Sequence, residues 1–256
     1  MKLQDLSNKL SDILEIGRFV GCDSSLNGLQ VGDVNLDVKK VAFAVDASLN
    51  TINKAVEQGA NLLFVHHGLF WGRPLAITGR HYNRVSTLIK NNVGLFACHL
   101  PLDAHLTYGN NAQMARALGM KDVQEFSVYK GVSVGVKGVL PHPMTADEIV
   151  QALGIRRNST NFVVNAGSDG QRRFCSAGIV SGEGASDIYQ AMADGLDVLI
   201  TGEGRYSTLN DCLETTVGML CLGHYETETF GVKAVMGLIS QEFGLETCFI
   251  DAPLGL

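Results

Sequence analysis

Short unbroken runs of Val, Leu, Ile, Phe and Ala recur along the chain, separated by stretches in which apolar residues return every three or four positions. Unbroken apolar runs suit strands buried on both faces, and the three-to-four spacing suits helices that bury one stripe. In order come "KKVAFAV", a helix from about Leu49 to Gln58, "NLLFV", a helix from about Asn83 to Lys90, and "VGLFAC". The same order returns as "RFCSAGIV", a helix from about Ala185 to Ala193, "LDVLI", a helix from about Tyr206 to Leu213, and "VGMLCL". Ahead of both, Leu3, Leu6, Leu10, Ile13 and Leu14 make the stripe of an amphipathic helix. The alternation predicts an α/β protein.

The return extends to individual residues. "NKAVEQGANLLFVHHG" (Asn53 to Gly68) lies on "YQAMADGLDVLITGEG" (Tyr189 to Gly204) without a gap, so that Ala55, Gly59, Leu63 and Gly68 fall on Ala191, Gly195, Leu199 and Gly204. "RVSTL" from Arg84 answers "RYSTL" from Arg205, and "VGLFACH" ending at His99 answers "VGMLCLGH" ending at His224. Three blocks in one order predict a duplication. The expectation is two related α/β lobes, 1–125 and 126–256, the second a repeat of the first and open to being intertwined with it, dividing where "GMKDVQEFSVYKG" turns polar and periodicity lapses.

Polar residues gather where the predicted strands end. "FVHHG" puts His66 and His67 there, "HLPLD" gives His99 and, four residues on, Asp103, and "HYETE" gives His224 and, four on, Glu228. In a helix, positions i and i+4 share a face, so His224 and Glu228 can meet if Tyr225 opens a helix. Pro101 argues against a helix between His99 and Asp103, and a loop is expected. Open α/β sheets bind ligands at the carboxyl ends of their strands, and imidazole with carboxylate suits Fe, Zn, Mn, Co or Ni. A single histidine-carboxylate pair reads more simply as a histidine capping backbone groups; repetition at matched places favours a metal site. Because neighbouring strand residues point to opposite faces, His66 and His67 are expected to diverge and to serve two ions, one each.

Composition narrows the choice. With 256 residues and 46% hydrophobic content the chain can bury a real core. A net charge of -6 and a pI near 5.6 argue against a surface built to neutralise phosphates, and the Lys39-Lys40, Arg156-Arg157 and Arg172-Arg173 doublets are isolated. Six cysteines without a CxxC pair argue against a disulfide framework or a cysteine-built zinc site, and point to a reducing cytoplasm. No apolar run approaches the length of a membrane span. Gly72 to Asn83, "GRPLAITGRHYN", is expected to be a long loop carrying Arg73, Arg80 and His81. Asn27-Gly28 reads first as a turn, with Asn27 and Gln30 as candidates to face a substrate. Glu203, opposite His67 in the repeat, is expected to stand behind a ligand.

Four blocks, "CDSSLNGLQVG" (Cys22 to Gly32), "VHHGLFW" (Val65 to Trp71), "HLPLDAHLTYGNNAQMARALG" (His99 to Gly119) and "GHYETE" (Gly223 to Glu228), together resemble in order and spacing the NIF-three-like family. Its bacterial members are labelled GTP cyclohydrolase 1 type 2 homologues. The resemblance covers the whole chain and is to the short form, without the middle inserted domain. It implies two related α/β lobes with mixed sheets, a metal site between the lobes, two divalent ions per chain (Fe, Zn or Mn), and a homohexameric toroid built as a trimer of dimers. It further implies His66, His67, Asp103, His224 and Glu228 as ligands, Glu228 bridging, and it leaves His99 beside the metals. The repeat by itself pairs His99 with His224 and would make it a ligand; following the family, we expect a proton-transfer role. The implied function is a dinuclear metal-dependent hydrolase, GTP cyclohydrolase-like, opening the ring of a purine nucleotide. A non-enzymatic metal-binding ring that acts as a scaffold or regulatory module is the competing expectation. Neither nucleic acid nor a membrane is expected as a partner.

Overall fold

The computed structural model describes residues 1–155, 162–165, 167 and 170–254; Arg156-Arg157 lies outside them. The elements run α1 (Leu3–Ile13), β1 (Gly28–Val31), β2 (Lys40–Asp46), α2 (Leu49–Glu57), β3 (Leu62–His67), α3 (Gly79–Lys90), β4 (Gly94–Ala97), α4 (Leu100–Ala104), α5 (Asn110–Ala117), β5 (Lys121–Tyr129) and β6 (Val132–Met144). They continue with α6 (Ala146–Leu153), β7 (Phe162–Val164), β8 (Phe174–Val180), α7 (Ile188–Ala193), β9 (Val198–Thr201), α8 (Tyr206–Leu213), β10 (Gly218–Cys221), α9 (His224–Phe243) and β11 (Glu246–Phe249). Among the described residues no helix is long and apolar enough to cross a membrane.

Two compact units divide the chain, Met1–Leu102 with Gly231–Ala252, and Asp103–Phe230 with Pro253–Leu256. The first carries a sheet of order β1-β4-β3-β2-β11, parallel except for β1. Its central strands are the unbroken apolar runs, and they are buried on both faces as such runs must be. On one face Phe43, Phe64 and Phe96 stand in register across β2, β3 and β4, with ring centroids 5.3 and 5.5 Å apart. The other face carries Ala42, Ala44, Leu63, Val65, Leu95 and Ala97 into a core with Ile52, Ala55 and Leu88 from α2 and α3. Helix α1 buries Leu3, Leu6 and Leu10, and Leu14 follows them inside. A Ser48–Thr51 capping box starts α2.

The second unit carries a sheet of order β5-β6-β8-β9-β10-β7. Strands β8, β9 and β10 are parallel, and β5, β6 and β7 run antiparallel to their neighbours. Alternation along β9 sends Val198 and Ile200 into one core with Ile149, Phe174 and Leu220, and Leu199 into another with Met219, Ile188 and Val217. Run side by side, β7-β10-β9-β8 repeats β1-β4-β3-β2, antiparallel edge strand included. Both sheets are mixed, and the duplication read from the residues is a duplication of topology.

Three expectations need correction. The break placed at 125/126 falls inside β5, and the chain instead passes between units within α4 and within α9. Periodicity lapses there because β5 exposes its first five residues and is held by backbone pairing with β6. Helix α4 forms despite Pro101, which occupies the second helical position, where its missing N–H has no intrahelical partner to lose. The loop expected over Gly72 to Asn83 ends early: α3 begins at Gly79, and Arg80 and His81 lie in its first turn.

Candidate metal centre

In the first unit the polar groups collect at the carboxyl ends of β2, β3 and β4. His66 and His67 close β3, Asp46 closes β2 directly opposite His67, and His99 follows β4. The ligand atoms of His66, His67 and His99 all lie within 4.8 Å of one another, a group that could hold a metal ion. The doublet's rings do not diverge: their centroids are 4.6 Å apart. Both residues lie at the end of β3, which pairs with β2 as far as His67, and their rings meet there instead of separating. Gly68 follows in a tight space, where a Cβ would stand 2.4 Å from Gln30 Nε2 and 2.6 Å from the Ala97 methyl.

Each of these imidazoles is oriented through Nδ1. His66 donates to Cys98 O at 2.9 Å, His67 to Asp46 Oδ1 at 2.9 Å and His99 to Asp23 Oδ1 at 3.0 Å. An Nδ1–H spent in this way fixes the tautomer and makes Nε2 the nitrogen each ring presents. Asp23 is itself enclosed: Ser25 N donates to Oδ1 at 2.9 Å, and Asn27 Nδ2 and Leu100 N donate to Oδ2 at 2.8 and 3.1 Å. Burial pushes its carboxyl up, but the His99 contact with the Asn27 and Ser25 hydrogen bonds outweighs burial and holds it at about 2. Asn27 also accepts from His99 N at 2.7 Å, and Gln30 accepts from Leu69 N at 2.8 Å. Both read as substrate candidates in sequence; here they fix loops.

The second unit gathers a second set at the carboxyl ends of β8, β9 and β10. His224 opens α9, and Glu228, one turn on, meets its Nε2 at 3.0 Å. Glu203, after β9, accepts from His224 Nδ1 at 2.7 Å, which gives the carboxylate-backed imidazole again. Burial lowers the affinity of His224 for a proton, yet the two carboxylates on its two nitrogens prevail and raise it to about 9. Asp103 is buried, accepting from Asn110 Nδ2 at 2.9 Å and Ser181 Oγ at 2.8 Å. An oxygen of Asp103 and one of Glu228 lie within 4.8 Å of each other. Gly182, at φ +62°, lines this set, and a Cβ there would come within 2.4 Å of Glu228 Oε1 and 3.2 Å of His224 Nε2.

The matched positions behave alike. His67 and Glu203 end β3 and follow β9, His99 and His224 follow β4 and β10, and in each unit the two stand together. Sequence reasoning missed Asp23, Asp46, Asn110 and Ser181. Asp46 was the most readable, as a carboxylate closing an apolar run, but its relevance appears only once β2 and β3 are known to pair.

Comparison with known proteins agrees with this architecture. A protein from Deinococcus radiodurans named "GTP cyclohydrolase 1 type 2 homolog" is 44% identical over 252 residues, 98% of this chain and 94% of its own. One of the same name from Halobacterium salinarum is 38% identical over 256 residues, covering 100% of both chains. The crystal structure of TTHA1606 from Thermus thermophilus superposes with a TM-score of 0.87 at 37% identity, covering 100% of both chains. Residues 1–253 match Duf34/NIF3 (NGG1p interacting factor 3), and the chain belongs to that family.

Proposed function

We propose that these side chains hold two divalent ions (Fe, Zn or Mn) and that the metal serves a hydrolase. The observation that carries this reading is the shared state of His66, His67 and His224, each with Nδ1 engaged by Cys98 O, Asp46 or Glu203, so that Nε2 is the nitrogen each presents. That is how metal-binding histidines are held. The donor chemistry is complementary. The first unit offers imidazoles, its carboxylates Asp46 and Asp23 standing behind them, while the second offers Asp103, Glu228 and His224. Since the doublet's rings lie side by side, the stoichiometry of two rests on the number of donors and on kinship.

His66, His67, Asp103, His224 and Glu228 would hold the ions. When bound, such ions supply an activated water and a polarised C=N or C=O bond. Asp103 is kept ready by Asn110 and Ser181, and Gly182 leaves room beside Glu228. His99, tied at Nδ1 to Asp23, moves a proton at Nε2. The name its relatives carry points to a purine nucleotide such as GTP, its imidazole ring opened with release of formate. The assembly is a cytoplasmic homohexamer, a trimer of dimers, which light scattering would report as six times the chain's 27.5 kDa.

Elemental analysis of untagged protein tests the centre. About two transition-metal ions per chain are expected, falling sharply in His224→Ala; none after anaerobic, chelator-free purification refutes it. His99→Ala should keep the metal and lose hydrolysis. Retained function in that variant would instead mark a metal-loaded scaffold.

A further inference from the structure

We propose that Trp71 is the platform on which a planar, conjugated ring of the substrate stacks, an assignment that rests on reading the neighbouring histidines as part of a hydrolytic centre. Trp71 is the one tryptophan in the chain, and it sits in the loop that follows the histidine doublet. Its indole meets the His99 ring edge-on, centroids 4.9 Å apart at 75°, and lies 6.0 Å from the His67 ring. Yet it remains 38% exposed. A core tryptophan would be covered, and a ring kept in water beside polar groups has surface available to a ligand.

The indole cannot recognise that ligand by hydrogen bonding, because Nε1–H already donates to Gly68 O at 3.0 Å. What it offers is π surface. Nor does it have to be ordered on binding. Leu26 N donates to Phe70 O at 2.9 Å on one side. On the other, Gly72 at φ +67° packs so closely that a Cβ would lie 3.1 Å from Ser24 O. Both flanks of Trp71 are therefore pinned to the Ser24–Leu26 segment. A rigid aromatic face beside His99 suits a flat heteroaromatic ring, which gains stacking that a sugar or an alkyl group does not.

Intrinsic fluorescence and calorimetry test this with guanosine, uridine, ribose and choline as probes, on metal-loaded and on chelator-treated protein. Saturable quenching by guanosine is expected, weaker quenching by uridine and none by ribose. Trp71→Ala should weaken guanosine binding about ten-fold or more, with Trp71→Phe recovering part of the loss. Unchanged guanosine affinity in Trp71→Ala overturns the proposal, as does choline binding as well as guanosine, which would make the site a cation trap. Ring binding absent from protein holding two ions per chain refutes the platform alone. Ring binding present in protein that never retains metal refutes the hydrolytic centre alone.

Discussion

Replacing Asp23 by Asn preserves the shape of the side chain and exchanges one acceptor oxygen for a donor. Every partner of this carboxylate donates: His99 Nδ1 and Ser25 N to Oδ1, Asn27 Nδ2 and Leu100 N to Oδ2. Whichever way the amide turns, its NH2 faces two donors, and the side chain is 2% exposed, so water does not relieve them. Two unmet buried donors at about 1–3 kcal/mol each, eased by some rearrangement, predict a loss of about 2–4 kcal/mol near neutral pH. The acid limb checks the same interaction independently. Because the folded carboxyl is depressed from 3.8 to about 2, its contribution is complete above the unfolded value and lost as pH falls through the folded one. That amounts to about 2 kcal/mol. The gap between wild type and Asp23→Asn should therefore narrow on acidification from about pH 4 to about pH 2. Urea unfolding of metal-free protein, followed by the fluorescence of Trp71 in the same unit, measures it. A gap below about 0.5 kcal/mol at neutral pH, or one that widens on acidification, would refute the reasoning.

Gly182→Ala, whose Cβ would stand 2.4 Å from Glu228 Oε1, should leave far-UV circular dichroism unchanged while metal content falls by half or more; full metal content would show that Glu228 is not confined there. Phe64→Ala, in the middle of the three-ring row, should cost about 3–5 kcal/mol in chemical denaturation, and a loss under about 1 kcal/mol would mean that the row closes over the gap. Since His224 is raised to about 9, metal-free protein carries its proton at neutral pH, and metal uptake should release roughly one proton from it and tighten as pH rises toward that value. Calorimetry in buffers of different ionisation enthalpy reads the release, and heats independent of buffer would contradict it.

Much of this was legible because side chains record burial. The stripe Leu3, Leu6, Leu10 and Leu14, the doubly buried runs of β2, β3 and β9, and the span of α8 follow directly from hydrophobic spacing. The repeat was legible because Ala, Gly and Leu fall at matched positions in both halves, and the polar groups follow the same strand ends. Elements held by backbone pairing left little trace: β5 exposes most of its length, and β11 is four residues with one charge. The doublet's convergence was hidden for another reason. Alternation gives the side on which each side chain leaves the strand, whereas the ring's final direction follows the partner of its Nδ1, Cys98 O for His66 and Asp46 for His67. The carboxylates behind the histidines were invisible because they come from other strands and loops, and only pairing brings them close.

The strand β11 has a consequence for how the chain is made. Its partner β2 is translated early, but the edge that β2 offers is filled only when Glu246–Phe249 leaves the ribosome, after all of Asp103–Phe230. During that interval the first sheet exposes an unpaired parallel edge beside a finished aromatic row, the kind of surface chaperones hold and aggregates recruit. The second unit, with its strands β5 to β10 in one continuous stretch, has no such wait. The later-synthesised unit is thus the one positioned to finish folding first.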